Sequence, residues 1–222
     1  MNYKNILQGK FIHRPNRFIA EIKIGQERAI CHVKNTGRLK ELLLPNATVW
    51  LEQSENPNRK TAYDLIAVEQ DGQIINIDSQ APNKIAAEWL PKSGLFPANT
   101  PIRAEVKRGN SRFDFLVGDT WIEVKGITLN DQGNAKFPDA PTLRGVKHLK
   151  ELAAICQSGG KAMVLFIVQM KGIAGVAPND QTHPEFGQAL RDAAQAGVNI
   201  VAVDCIVRPD EVIADRPIPI IL

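Results

Sequence analysis

The chain has 222 residues, 44% hydrophobic and 23% charged, which is the make-up of one or two folded domains and excludes a disordered or fibrous polymer. Its net charge of +3 is unevenly spread: residues 1–50 carry 9 Lys and Arg against 3 Asp and Glu, residues 101–150 carry 9 against 6, and the remaining stretches are acidic. Cys31, Cys156 and Cys205 are too few and too scattered for a disulfide framework or a zinc site, and no run of about 18 apolar residues is present to span a bilayer. The expectation is a cytoplasmic protein without membrane contact whose basic stretches meet a polyanion.

Residues 9–78 alternate between short β segments (GKFIHR, RFIAEIKI, ERAICHV, ATVWLEQ, TAYDLIAVEQ, QIINID) and turn residues such as Pro15-Asn16, Gly25-Gln26, Asn35-Thr36-Gly37 and Asp71-Gly72. This punctuation predicts a small five-stranded, OB-like barrel over residues 1–81. Beyond Gln80-Ala81-Pro82-Asn83 the pattern changes to a short helix around 84–90 and three strands near 102–107, 112–117 and 120–125. RGVKHLKELAAICQ (144–157) has apolar residues at helical spacing, and AMVLFIVQ (162–169) is a continuous apolar run suited to a buried strand. HPEFGQALRDAAQAG reads as a helix stopped by glycine, NIVAVDCIV as a second buried strand, and DRPIPIIL as an edge strand or arm because of its prolines. The second unit, 82–222, is therefore expected to be α/β, giving α+β overall.

Residues 103–126, RAEVKRGNSRFDFLVGDTWIEVKG, hold the densest chemical information. A two-residue turn at Gly118-Asp119 pairs Val117 with Thr120 and, counting outward, Asp114 with Glu123 and Arg112 with Lys125. Cross-strand Cβ atoms lie about 4.5–5.5 Å apart, so facing carboxylates repel unless a cation lies between them. A turn at Gly109-Asn110 brings Glu105 opposite Asp114 as a third acid. Hard oxygen donors of this kind suit Mg2+, with Mn2+ as a substitute. Such an ion acidifies a bound water and stabilises charge on an attacked phosphate. Lys125, two residues from Glu123 on the same face, is placed to orient that water or to neutralise the phosphate. E-x-K also occurs on ordinary solvated strands; the stacking of acids beside Leu116 and Trp121 is what separates this case.

GNSRFDF, IEVKGITL, AKFPDAPTLRGVKHLKEL and the early HVKNTGRLKELLLPN resemble the signature segments of the sugar fermentation stimulation protein family over the whole chain. The resemblance implies an N-terminal OB-like domain, a PD-(D/E)xK nuclease-like mixed-sheet domain, and DNA binding. Asp114, Glu123 and Lys125 stand where that superfamily places its catalytic residues. It also implies an acid from the preceding helix, for which Glu88 in NKIAAEWL is the candidate, in competition with Glu105.

Thr142 is placed as the N-cap of the 144–157 helix, whose free N–H groups favour phosphate, with Arg144, Lys147 and His148 three or four residues apart for cationic contact. His148 is alternatively a general base. Asp139 reads as a turn carboxylate. In the barrel, Lys34, Arg38 and Lys40 surround the Asn35-Thr36-Gly37 turn, and with Arg112 they complete the basic residues expected to meet a nucleic acid backbone. Phe11, Phe18, Trp50 and Tyr63 are as readily core as stacking platforms. The expected activity is metal-dependent hydrolysis of DNA or RNA phosphodiester bonds; the rival is a DNA-binding regulator on a nuclease-like scaffold without turnover. Self-association is left open by the sequence.

Overall fold

The computed structural model describes all 222 residues. The first unit is built from β1 (Ile6–Asn16), β2 (Ile19–Ile24), β3 (Glu27–Val33), β4 (Thr48–Gln53), β5 (Tyr63–Gln70) and β6 (Gln73–Asn76). β1 is long enough to pair with β4 through its first half and with β2 through its second, and irregularities between Phe11 and Asn16 bend it between the two. A parallel pairing of Cys31–Val33 with Tyr63–Leu65 closes the five-stranded, OB-like barrel, with β6 added alongside β5. Phe11, Ile22, Val33, Val49, Leu51 and Leu65 fill the interior, and Leu39, Leu42 and Leu43, from the β3–β4 connection, are buried with them.

The second unit starts with α1 (Ala81–Trp89), a 3-10 turn at Leu90–Lys92, and the meander β7 (Ile102–Arg108), β8 (Ser111–Val117) and β9 (Thr120–Ile127). There follow β10 (Asn130–Asp131), β11 (Asn134–Phe137), α2 (Leu143–Gln157), β12 (Lys161–Val168), β13 (Gly175–Pro178), α3 (Pro184–Gln195), β14 (Asn199–Val207) and β15 (Val212–Pro217). The main sheet has the order β15-β14-β12-β9-β8-β7, parallel through β9, β12 and β14 and antiparallel at its flanks. β10, β11 and β13 form a small side sheet.

The central strand β12 is apolar on both faces because both are covered. Ala162, Val164, Phe166 and Val168 pack with Leu149, Leu152, Phe186 and Leu190 of α2 and α3, whereas Met163, Leu165 and Ile167 pack with Ile85, Ala86 and Leu90 on the α1 side. The core under α2 and α3 is continuous with the barrel interior. Polar contacts add to this join: Gln169 Nε2 donates to Asn76 Oδ1 (2.6 Å) and to the Asp78 carbonyl (3.0 Å), and the Asn76 amide donates to the Gln169 carbonyl (3.0 Å). No helix is long and apolar enough to cross a membrane.

The strands and helices expected from the sequence are present, but at the tail the edge strand β15 ends at Pro217, so only the first three residues of DRPIPIIL belong to it. The β10–β11 hairpin and β13 were not anticipated.

Candidate active site

The site forms where β8 and β9 part. Gly118 takes a positive φ of 59° at the hairpin turn, and the ladder runs Val117–Thr120, Leu116–Trp121, Phe115–Ile122, in the register expected from the sequence. It stops there. Asp114 Oδ2 accepts from the amide of Val124 (2.7 Å), so a side chain occupies a strand donor and holds the fork open. Asp114 Oδ1 accepts from Asn83 Nδ2 on α1 (2.8 Å). At this point the faces of β8 also change over: Phe113 packs under α2, near Trp121 and His148, whereas Phe115 and Val117 pack towards α1. The simple alternation expected for Phe113, Phe115 and Val117 therefore fails at Asp114.

Glu123 projects toward α2. Its Oε1 accepts from Lys125 Nζ (2.5 Å) and is 2.5 Å from His148 Nδ1, while Oε2 is buried without a hydrogen-bond partner. Asp114, Glu123 and Lys125 line one open cleft of about 430 Å³ with Asn83, Ser79 and Gln80 on one wall and Thr142, Arg144 and Gly145 on the other. Thr142 caps α2 as expected, its Oγ1 accepting from Gly145 N (3.0 Å), so the positive end of that helix opens on the cleft.

The two acids differ electrostatically. Burial, and then the neighbouring Glu123 charge, raise the Asp114 pKa against the opposing bonds from Val124 N and Asn83. Burial also opposes ionisation of Glu123, but the bonds and charges of His148 and Lys125 outweigh it and hold this carboxyl below its ordinary value. Glu123 is thus an anion at neutral pH with one unsatisfied oxygen, and removal of a buried acceptor from water without a partner is costly. That oxygen and Asp114 are the cleft carboxylates that could hold a hard divalent cation, since Mg2+ commonly takes one or two carboxylates and leaves its other positions to water or phosphate.

Several expected residues lie elsewhere. Glu105 is not a third ligand: its positive φ (57°) interrupts the β7–β8 ladder opposite Asp114, and its side chain turns to solvent and pairs with Arg112 Nε (2.7 Å). Glu88 points away and pairs with the amino group of Met1 (2.7 Å). No three His, Cys, Asp or Glu side chains converge on a common ion position. Arg112 does not face Lys125, because the ladder has ended by then; it lies on an outer groove with Lys147, and Arg144 lines both that groove and the cleft. Lys147 is exposed and lies 3.7 Å from Glu151. His148 is not a surface phosphate contact, being buried by Phe113 and bonded to Glu123. Lys34 is likewise internal, paired with Asp78 (3.2 Å) and Asp64 (3.4 Å), whereas Arg38 and Lys40 are exposed. Asn83 and the Glu123–His148 pair were missed; the only signal for Asn83 is its place in the first turn of α1, in the segment where an extra acid was sought.

A closed OB-like barrel joined to a mixed-sheet domain, with Asp114, Glu123 and Lys125 gathered at a forked strand pair, defines the class as a two-domain, barrel-plus-mixed-sheet protein. Residues 12–77 match the SfsA N-terminal OB domain, and residues 80–211 match the sugar fermentation stimulation protein RE domain. The chain belongs to the sugar fermentation stimulation protein family. It is 53% identical to a sugar fermentation stimulation protein homolog of Clostridium beijerinckii over 216 residues, covering 96% of each chain, and 52% identical to that of Ruminiclostridium cellulolyticum, covering 93% of each. The structure of Pyrococcus furiosus SfsA in complex with Ca2+ superposes with a TM-score of 0.88 at 27% identity, covering 100% of this chain and 98% of that one.

Proposed function

We propose that the cleft hydrolyses phosphodiester bonds of DNA or RNA with the help of a bound divalent cation, Mg2+ or Mn2+. The observation that carries this reading is Glu123 Oε2, a buried, charged and unpartnered oxygen beside Asp114 and Lys125 in a cleft open to solvent. Asp114 and Glu123 would hold the cation, which supplies a more acidic water and a counter-charge for the phosphate. Asn83 and the Val124 amide fix the Asp114 carboxylate, and His148 fixes Glu123, so the acids are set before substrate arrives. Lys125 presents an ammonium to the phosphate oxygens. Arg144 and the N-terminus of α2 are placed to receive the flanking phosphate. The Ca2+ complex formed by the Pyrococcus furiosus relative supports a divalent cation.

Labelled single- and double-stranded DNA and RNA, incubated with Mg2+, Mn2+ or chelator, should be cut only with metal, and Asp114→Ala should lower the rate by at least about 100-fold. The second reading, a nucleic-acid-binding regulator without turnover, is favoured by the fact that both Asp114 oxygens already accept from protein donors. Binding that persists in chelator and in Asp114→Ala, with no cleavage under any condition, would select it. Residence in the cytoplasm is part of the same proposal.

A further inference from the structure

We propose that a groove on the barrel binds single-stranded nucleic acid, with Phe18 as a platform for an unstacked base, and passes that strand to the carboxylate cleft. The inference rests on the nucleic acid reading above and adds the form of substrate and a second binding site.

The groove encloses about 650 Å³ and is lined by His13, Arg14, Arg17, Arg38 and Lys40 without a single acidic residue. Arg17, Arg38 and Lys40 are exposed and make no ion pair, in contrast to Lys34 and Arg59, whose charges are consumed by Asp64 and Asp78 inside the same barrel. Unpaired cations repel one another, so Arg17, Arg38 and Lys40, left without acid partners although Glu21 lies 3.2 Å from His13 and Asp139 lies against Gly37, are complementary to an anionic chain.

The rims of the groove are fixed by Arg14. Its guanidinium donates to the carbonyls of Arg17 (2.5 Å), Asn35 (2.6 Å), Gly37 (2.9 Å) and Arg38 (3.1 Å), which ties the β1–β2 turn to the 35–38 loop. Phe18 sits on that turn. Asn16 Oδ1 accepts from the amides of Phe18 (2.9 Å) and Ile19 (3.1 Å), and the Phe18 carbonyl accepts from Val33 N (2.8 Å). The backbone is thus held on both sides, yet the ring is 50% exposed, with the Arg17 guanidinium 5.8 Å from its centroid. The loop between the first two strands is a recognised binding edge of OB folds, and aromatic rings there stack bases. In a duplex the base faces are covered by their neighbours; a protruding ring reaches one only in a strand whose bases are free.

The groove also leads to the cleft. Ala140 lines the groove and Arg144 the cleft, and four residues of chain span at most about 14 Å. The walls touch between them: Gly37 lies so near the Asp139 carboxylate that a Cβ there would overlap it. On the opposite side Ser79, a cleft residue, donates to the carbonyl of Lys34 (2.9 Å), four residues before Arg38.

The test is fluorescence anisotropy with labelled 16-mers of oligo(dT) and oligo(rU) and a labelled 16-base-pair duplex, in chelator so that no cleavage intervenes; the two single strands distinguish DNA from RNA. Single strands should bind more tightly than the duplex. Phe18→Ala should weaken them roughly 5- to 150-fold with an unchanged salt slope, and Phe18→Trp should restore binding. Arg38→Ala with Lys40→Ala should instead lower the slope by about 0.7 for each phosphate no longer neutralised. Single-strand affinity indifferent to Phe18→Ala, or a preference for duplex, overturns this proposal and leaves the nucleic acid reading standing. Failure to bind any of the three probes overturns both.

Discussion

Asp64 is a buried carboxylate in the barrel wall, held by the Arg59 fork (2.6 and 2.9 Å), His32 (3.1 Å) and Lys34 (3.4 Å). Burial opposes its charge, but Arg59, Lys34 and His32 together hold its pKa below the ordinary carboxylate value. For an acid whose folded pKa is depressed, the unfolded chain takes up protons first as pH falls. Its stabilisation is therefore complete above the unfolded value of about 3.9 and disappears as pH drops through the lower folded value. Urea midpoints recorded from pH 7 downward should fall in that acid range, and Arg59→Ala should flatten the decline by releasing Asp64. An unchanged slope in Arg59→Ala would contradict this account. The cleft acids work to a different end. Glu123 is kept charged by His148 and Lys125, while Asp114 is pushed toward protonation by burial and by Glu123, a conflict that a shared cation would relieve.

Among the elements, β9 carries the most constraints, since it supplies Glu123 and Lys125 and then passes Gly126 beneath the start of α1. A Cβ at Gly126 would meet Pro82 Cγ at 2.5 Å and Gln169 Oε1 at 2.6 Å, and the proline ring cannot turn aside. Gly126→Ala should therefore destabilise the protein by about 1–3 kcal/mol through overpacking, read from urea denaturation. It should also weaken the cleavage proposed for the cleft by displacing α1 and with it Asn83; wild-type stability in this variant would refute the packing argument. The β8–β9 hairpin was legible in the sequence because alternation and the Gly118-Asp119 turn both act locally, and they fixed the register as far as Phe115–Ile122. The fork at Asp114 was not legible, because a carboxylate taking a strand amide leaves no mark on periodicity. His148 and Lys34 were misplaced for a related reason. His148 meets Glu123 across 25 residues of sequence and Lys34 meets Asp64 and Asp78 across 30 and 44, so neither pairing is visible before folding brings the groups together. β13 and the β10–β11 hairpin escaped because two to four residues are too short for a period to declare itself.

At the scale of the whole molecule, the barrel and the mixed-sheet unit share apolar core and are joined by Gln169, Asn76 and Asp78. Units that unfold separately need an interface thin enough to part, and a continuous core does not offer one. Thermal unfolding followed by calorimetry should give one transition with equal calorimetric and van't Hoff enthalpies. Two resolved transitions would show that the join is weaker than its packing.

Gln169 stands at the end of β12 and reads the last residues of the barrel, while its neighbour Gly126 is the glycine that follows Lys125. Grafting a foreign barrel onto this scaffold would thus need a matching asparagine at position 76 of the seam, whereas any residue at 78 can offer the carbonyl. A chimera lacking that amide would lose the alignment between the barrel and the cleft beside it, even with Asp114, Glu123 and Lys125 intact.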